Sequence, residues 1–283
     1  MSRPDQLALI ALVYSMGSVI AVARGASPDL PIAVAGLASL LLVSMSVHYA
    51  NEYADYFADY LAERTPFSGG SGALQRSGLP KRLARQGAVV TFLLGAGLAV
   101  VSLAYGYSLA ALAVLLFIGV LGWAYSVGPS LAWHGMGELD NAVLGGIALP
   151  AYGFAVQAGT VTLEVTLVCL PFFALVFINL LDTTWADREA DGAVGKNTLA
   201  TRWPAARLRA LYFLGTVVWF ASLLALRGRL LPMPVVLASI PAAPFLAWGA
   251  VWYTRRRSPF PTVAAMVLTA IAQTVGWLWI AAR

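Results

Sequence analysis

Residues 31–59 read PIAVAGLASLLLVSMSVHYANEYADYFAD, an apolar run that ends in acid. A helix needs ~20 residues to cross a hydrocarbon layer ~30 Å thick, and this run is long enough. Only helices and closed barrels pair every backbone group internally in lipid. The apolar residues follow one another without strict alternation, so a helix is predicted. The pattern extends through the chain: of 283 residues, 60% are hydrophobic and 11% charged, whereas a soluble domain carries about 25% charged residues. An all-α polytopic membrane protein in a single domain, 1–283, is therefore expected.

Nine spans are predicted, at 7–23, 31–58, 84–105, 108–127, 139–158, 164–186, 206–226, 231–252 and 260–281. The first block follows Arg3 like a signal peptide but has no convincing cleavage site before a soluble domain, so it reads as a membrane helix. With the N-terminus inside, the inner connections collect Arg3, Arg64, Arg76, Lys81, Arg82, Arg85, Arg188, Lys196, Arg202, Arg207, Arg209, Arg255, Arg256 and Arg257. The outer side keeps Arg24, Arg227, Arg229 and Arg283. Fourteen against four of the 18 cations is a positive-inside bias that a miscounted helix would scramble. It places the N-terminus and the charged loops in the cytoplasm. The net charge of +5 then serves topology and anionic headgroups, and no nucleic-acid partner is expected. The lone cysteine, Cys169, excludes an intramolecular disulfide and a Cys-rich metal site.

Thirteen acidic residues are few, and they gather at two helix ends. Glu52, Asp55, Asp59 and Glu63 end the second span; Asp182, Asp187, Glu189 and Asp191 end the sixth. Asn51, Asp55 and Asp59 are spaced i, i+4, i+8, as are Asp187 and Asp191 at i, i+4, so each set shares a helix face. An acid deep in a membrane helix costs about 2.5–3.5 kcal/mol and is a functional candidate by default. If the two faces meet, each close pair of carboxylates repels by ~4 kcal/mol at ~4 Å and an effective dielectric of about 20. Bound cations relieve that repulsion. Oxygen-only ligands suit Mg²⁺, which takes one or two carboxylates together with substrate phosphates. The metal candidates are Asn51, Asp55, Asp59, Asp187 and Asp191, bridged by a diphosphate. Arg64, Arg76, Arg188 and Lys196 are placed to contact phosphate oxygens, with Gly195 and the SGGSG segment, 68–72, allowing close backbone approach. Glu52, Glu63 and Glu189 lie off the shared faces and read as solvated or salt-bridged.

These residues resemble the UbiA superfamily of intramembrane prenyltransferases. The first motif of that family, N-D-x-x-D-x-x-x-D, is matched by Asn51, Glu52, Asp55 and Asp59, with Glu52 in place of the usual Asp. Its second, D-x-x-x-D, is matched by Asp187 and Asp191. A third stretch, YSVGPSLAWHGMGELDNAVLGG at 125–146, is similar to the family loop that reaches G-x-G-E. Members often carry Lys or Arg before G-x-G-E, whereas Ala132, Trp133 and His134 stand there in this chain. The NEY start, RTPFSGGSG at 64–72 and GKNTL at 195–199 are similar to 1,4-dihydroxy-2-naphthoate prenyltransferases of menaquinone synthesis.

The resemblance implies nine helices around a central cavity in a prokaryotic cell membrane, with the site facing the cytoplasm. It implies transfer of a prenyl or polyprenyl chain from its diphosphate to an aromatic acceptor, with two Mg²⁺ ions and Asp55, Asp59, Asp187, Asp191 and Lys196 as catalytic residues. Asn179, Asp182 and Tyr125 are acceptor-side candidates. Other phenolics, 4-hydroxybenzoate and lipid alcohols are alternative acceptors. A secondary transporter would place its ionisable groups near the bilayer midplane, whereas these acids cluster at helix ends.

Overall fold

The computed structural model describes residues 1–61 and 70–283. Glu63, Arg64 and most of the RTPFSGGSG stretch lie outside the described residues. The chain runs through α1 (Pro4–Ala23), α2 (Leu30–Ala54), α3 (Tyr56–Leu61), α4 (Ala73–Ser77), α5 (Arg82–Ser102), α6 (Leu109–Ser126) and α7 (Gly137–Val143). A π-helical turn, Leu144–Ala148, leads into α8 (Leu149–Ala158), followed by α9 (Leu163–Val168), α10 (Leu170–Ala193), α11 (Leu199–Arg202) and α12 (Ala205–Leu226). Then come α13 (Met233–Ser239), α14 (Ala243–Trp252) and α15 (Phe260–Ala281). The described residues contain no strand.

Side chains that compete for backbone donors start several of these helices. Asp29 accepts from the Ile32 N–H at α2, Ser108 from Ala111 at α6, and Thr162 from Val165 at α9. Among the described residues, eight stretches are helical, long and apolar enough to cross a membrane. They correspond to all the predicted spans but the sixth. That one takes in α9, the turn at Cys169 and most of α10, a helix of 24 residues whose second half carries Asp182, Asp187, Arg188, Glu189 and Asp191.

Five predicted spans are not continuous α-helices. The 84–105 span tightens into a 3₁₀ turn, Leu103–Tyr105, and the 164–186 span is interrupted at Cys169, between α9 and α10. The 31–58 span breaks at Asp55, between α2 and α3, although Asp59 N still donates to the Asp55 carbonyl at 2.8 Å. The 231–252 span is divided by a 3₁₀ turn, Ile240–Ala242, where Pro241 and Pro244 lack the N–H an α-helix needs. The 139–158 span loosens into the π turn ahead of Pro150.

α1 packs on α8 and α2 on α5. Glycines permit the first contact: a Cβ on Gly17 would lie 1.9 Å from the Pro150 carbonyl oxygen, and one on Gly153 2.1 Å from that of Tyr14. Beside them, the Tyr152 hydroxyl donates to the Gly36 carbonyl and bonds the Tyr107 hydroxyl, both at 2.8 Å, and Tyr14 donates to Ala33 O at 2.7 Å. These polar atoms are satisfied inside the protein, as a membrane interior requires. Leu93, Leu94 and Val101 of α5 and Phe213, Val217 and Phe220 of α12 are exposed, as expected of faces that meet lipid.

Candidate active site

A cavity of about 650 Å³ opens between the α2 and α10 ends. Its wall changes in character along the helices. Asn51, Asp55, Asp59, Asp187, Asp191 and Lys196 form the charged end, whereas Val13, Ile118, Leu149, Phe172 and Met266 form the other. The two acidic clusters, distant in sequence, thus face one space.

Lys196 joins them. Its Nζ donates to Asp55 Oδ2 at 3.0 Å and lies 3.5 Å from Asp191 Oδ1, and both Lys196 and Asp55 are buried. Burial alone would push the ammonium pKa down. Asp55, then Tyr125 and Asp191, outweigh it and hold Lys196 above the ordinary lysine range. The local chain explains the reach. α10 ends at Ala193, Gly195 takes φ 78°, a left-handed conformation suited to glycine, and Lys196 N donates to the Asp191 carbonyl at 2.9 Å. Thr198 then caps α11, and the Leu199 N–H donates to Glu138 Oε1 at 2.9 Å. Glu138, in the G-x-G-E segment, therefore secures the turn that carries the lysine.

On the α2 side, Asn51 Nδ2 donates to Asp55 Oδ2 at 3.0 Å and to Ser126 Oγ at 2.9 Å. Burial, then the Asp55 carboxylate, pushes Asp59 up to about 7. Asp55 Oδ1 and Asp59 Oδ2 are buried and have no hydrogen-bond partner among the described residues. Among the described residues no three His, Cys, Asp or Glu side chains converge on a ready-made metal centre. Unpartnered carboxylate oxygens beside a polar cavity nevertheless fit a hard cation that shares its shell with phosphate and water.

Tyr125 and Asn179 line the cavity, whereas Asp182 does not. Asp182 accepts from the Thr262 hydroxyl of α15 at 2.9 Å. Two expected phosphate contacts stand away from the wall: Arg76 is exposed and donates to the Ser71 carbonyl at 2.9 Å, and Arg188 stacks on Trp185, 3.9 Å from its ring centre, and pairs with Glu189. Arg64 lies outside the described residues. His134 is exposed, near the Ser130 carbonyl, and His48 Nδ1 lies 2.9 Å from the Ser2 carbonyl. Glu189 is the surface ion-pair residue expected, bonded by Arg257. Glu52 is paired but not solvated: it is 2% exposed, with Arg3 3.0 Å away. Arg3, Asn141, Thr183 and Thr184 also line the cavity and were not among the expected site residues. Asn141 lies in the 125–146 stretch singled out above, but Arg3 reaches α2 across 48 residues and has no local signature.

Solved structures share this architecture. A UbiA homologue from Archaeoglobus fulgidus bound to GPP and Mg²⁺ superimposes with a TM-score of 0.67 at 16% identity, covering 100% of this chain and 98% of that one. The same homologue bound to DMAPP and Mg²⁺ gives 0.67 at 17% identity over the same shares. An apo UbiA homologue from Aeropyrum pernix K1 gives 0.68 at 15% identity over 95% of each chain. Identities this low speak for the fold alone. No curated protein matches the sequence. The sequence itself matches the UbiA prenyltransferase family over residues 10–271, and to that family the chain belongs.

Proposed function

We propose that this chain is a Mg²⁺-dependent enzyme that transfers a prenyl or polyprenyl group from its diphosphate to an aromatic acceptor, 1,4-dihydroxy-2-naphthoate in menaquinone synthesis. The observation that carries the reading is the convergence of two carboxylate-bearing helix ends on one cavity, with Lys196 within 3.0 Å of Asp55 and 3.5 Å of Asp191. Asp55, Asp59, Asp187 and Asp191 would hold two Mg²⁺ ions. Mg²⁺, when bound, supplies positive charge to the departing pyrophosphate.

The protein's own groups do the rest. Lys196 holds phosphate oxygens whose charge grows as the carbon–oxygen bond breaks. Asn51 orients Asp55 through its amide. The apolar wall from Val13 to Phe172 receives the prenyl tail and keeps water from the allylic cation left behind. Asn179 and Tyr125, on the same wall, are positioned for the acceptor. The naphthoate reading rests on the NEY, RTPFSGGSG and GKNTL segments.

We further propose nine crossings, with α9 and α10 together forming the sixth, in one domain, 1–283. The N-terminus and the charged end of the cavity then face the cytoplasm of a prokaryote. Purified protein given a prenyl diphosphate, Mg²⁺ and 1,4-dihydroxy-2-naphthoate should release pyrophosphate and form the prenylated naphthoate. Release with 4-hydroxybenzoate or a lipid alcohol instead would transfer the proposal to that acceptor. No release with any acceptor would end it.

A further inference from the structure

Arg3 precedes α1 and, by sequence, counts only toward charge across the membrane. Its backbone is left-handed, φ 47° and ψ 75°, a region that costs a non-glycine residue about 1–3 kcal/mol unless its surroundings impose it. The surroundings do so here. Arg3 Nη2 donates to Asn51 Oδ1 at 3.1 Å and to Glu52 Oε1 at 3.0 Å. Beside it, the Ser2 carbonyl lies 2.9 Å from His48 Nδ1. The residues before α1 are thus fastened to the last turns of α2.

Glu52 passes the connection on. Its Oε1 also accepts from the Ser71 N–H at 2.9 Å, and its Oε2 from the Ser71 hydroxyl at 2.8 Å. Both carboxylate oxygens are occupied and the side chain is buried, so Glu52 is not available as a ligand even though it sits among ligand candidates. Next to Ser71, Gly70 lies against Asp59, where a Cβ would come 2.0 Å from Asp59 Oδ2. Meanwhile Arg3 fixes the Asn51 amide oxygen and so turns its Nδ2 toward Asp55. Asp55 and Asp59 are each set in place, at one remove, by the same bridge.

We infer that Arg3 and Glu52 are positioning residues for the Asp55–Asp59 cluster, and that the Arg3–Glu52–Ser71 bridge makes the segment before the first membrane helix part of the site. The longer reach of Glu52 is what allows it to meet Arg3 and Ser71 together. The kinetic consequence rests on the proposed prenyl transfer; the bridge itself does not.

The test is a double-mutant cycle on the purified full-length protein with Arg3→Met, Glu52→Gln and the pair. Without donor, the thermal midpoint of the double variant should be no lower than that of the worse single variant, because either change breaks one shared bridge. In turnover, each single variant should lose about tenfold in kcat while donor KM moves by less than about threefold, and Arg3→Lys should recover part of the loss. Should Arg3→Met fail to purify, Arg3→Lys with Glu52→Gln completes the same cycle.

Additive midpoint changes would overturn the bridge. Coupled midpoints with unchanged kcat would overturn the positioning role and leave a structural tie. A rise in donor KM at constant kcat would make Arg3 a diphosphate-binding residue instead. Wild-type protein with no prenyl transfer would remove the positioning role together with the proposed function, while the midpoints would still decide the bridge.

Discussion

α2 stops at Ala54 and passes through Asp55 into the short α3, whereas α10 runs unbroken through Asp187 and Asp191 to Ala193. Around the first end, Glu52 is saturated by Arg3 and Ser71, but Asp55 and Asp59 each keep a buried oxygen with no partner among the described residues. On α10, Asp182 is committed to Thr262, and Asp191 shares Lys196 with Asp55. The difference separates acids by their surroundings. One whose oxygens are met by fixed protein donors is part of the scaffold, because those hydrogen bonds already balance its burial. One that faces the cavity with an oxygen unmet is placed for a ligand. The i, i+4 spacing alone does not make this distinction.

The largest effects should come from the cavity acids. Asp55→Ala, Asp59→Ala, Asp187→Ala and Asp191→Ala should each lower pyrophosphate release by at least about a hundredfold while the protein still inserts and folds. Near-wild-type rates in any two would break the metal assignment. Lys196→Ala should follow, with kcat down by about ten- to a hundredfold and donor affinity weakened, since an ammonium on the leaving group acts most strongly as charge develops. Lys196→Arg should restore only part of this, because the guanidinium fork differs in reach. Arg256→Ala, a cation stacked on Trp252, is the control and should leave kinetics unchanged. Equal behaviour of the two alanine variants would reduce Lys196 to a topology signal.

Proton competition should come next. With Asp59 pushed up to about 7, its carboxyl is protonated below that pH and cannot ligate. The Mg²⁺ concentration for half-maximal rate should therefore rise as pH falls through about 7, approaching tenfold per pH unit, and Asp59→Asn should remove that component. A pH-independent Mg²⁺ requirement in wild type would contradict it. The smallest effect is expected at Asp182→Asn, which keeps an acceptor for Thr262. Its thermal stability should change by about 1 kcal/mol, with rates almost intact. A large loss of kcat there would return Asp182 to the acceptor site and blur the comparison between scaffold and ligand acids.

The helices and the two acidic ends were legible because length, hydropathy and i, i+4 spacing are local properties. Lys196 was legible for the same reason: Gly195 beside the end of α10 allows the chain to turn back. The break at Asp55 was less so, since Asn51–Asp59 keeps helical spacing and the interruption comes from how that end packs. α10 continues past 186, the predicted end of the sixth span, as the shared helix face of Asp187 and Asp191 requires. Arg76 and Arg188 were expected at the phosphates from proximity in sequence, yet each found another partner, Ser71 for one and Trp185 with Glu189 for the other. Long cations near the surface have many available partners, and spacing does not choose among them. Arg3 shows the converse, a site contact made only by tertiary packing.

If the two clusters share one metal and diphosphate site, ion binding depends on both. Mn²⁺ binding to the purified protein, measured by electron paramagnetic resonance with an unreactive prenyl thiodiphosphate, should be lost on Asp55→Asn and equally on Asp191→Asn. Full retention of the bound ions in either variant would show that one cluster holds them alone, and would contradict the shared site.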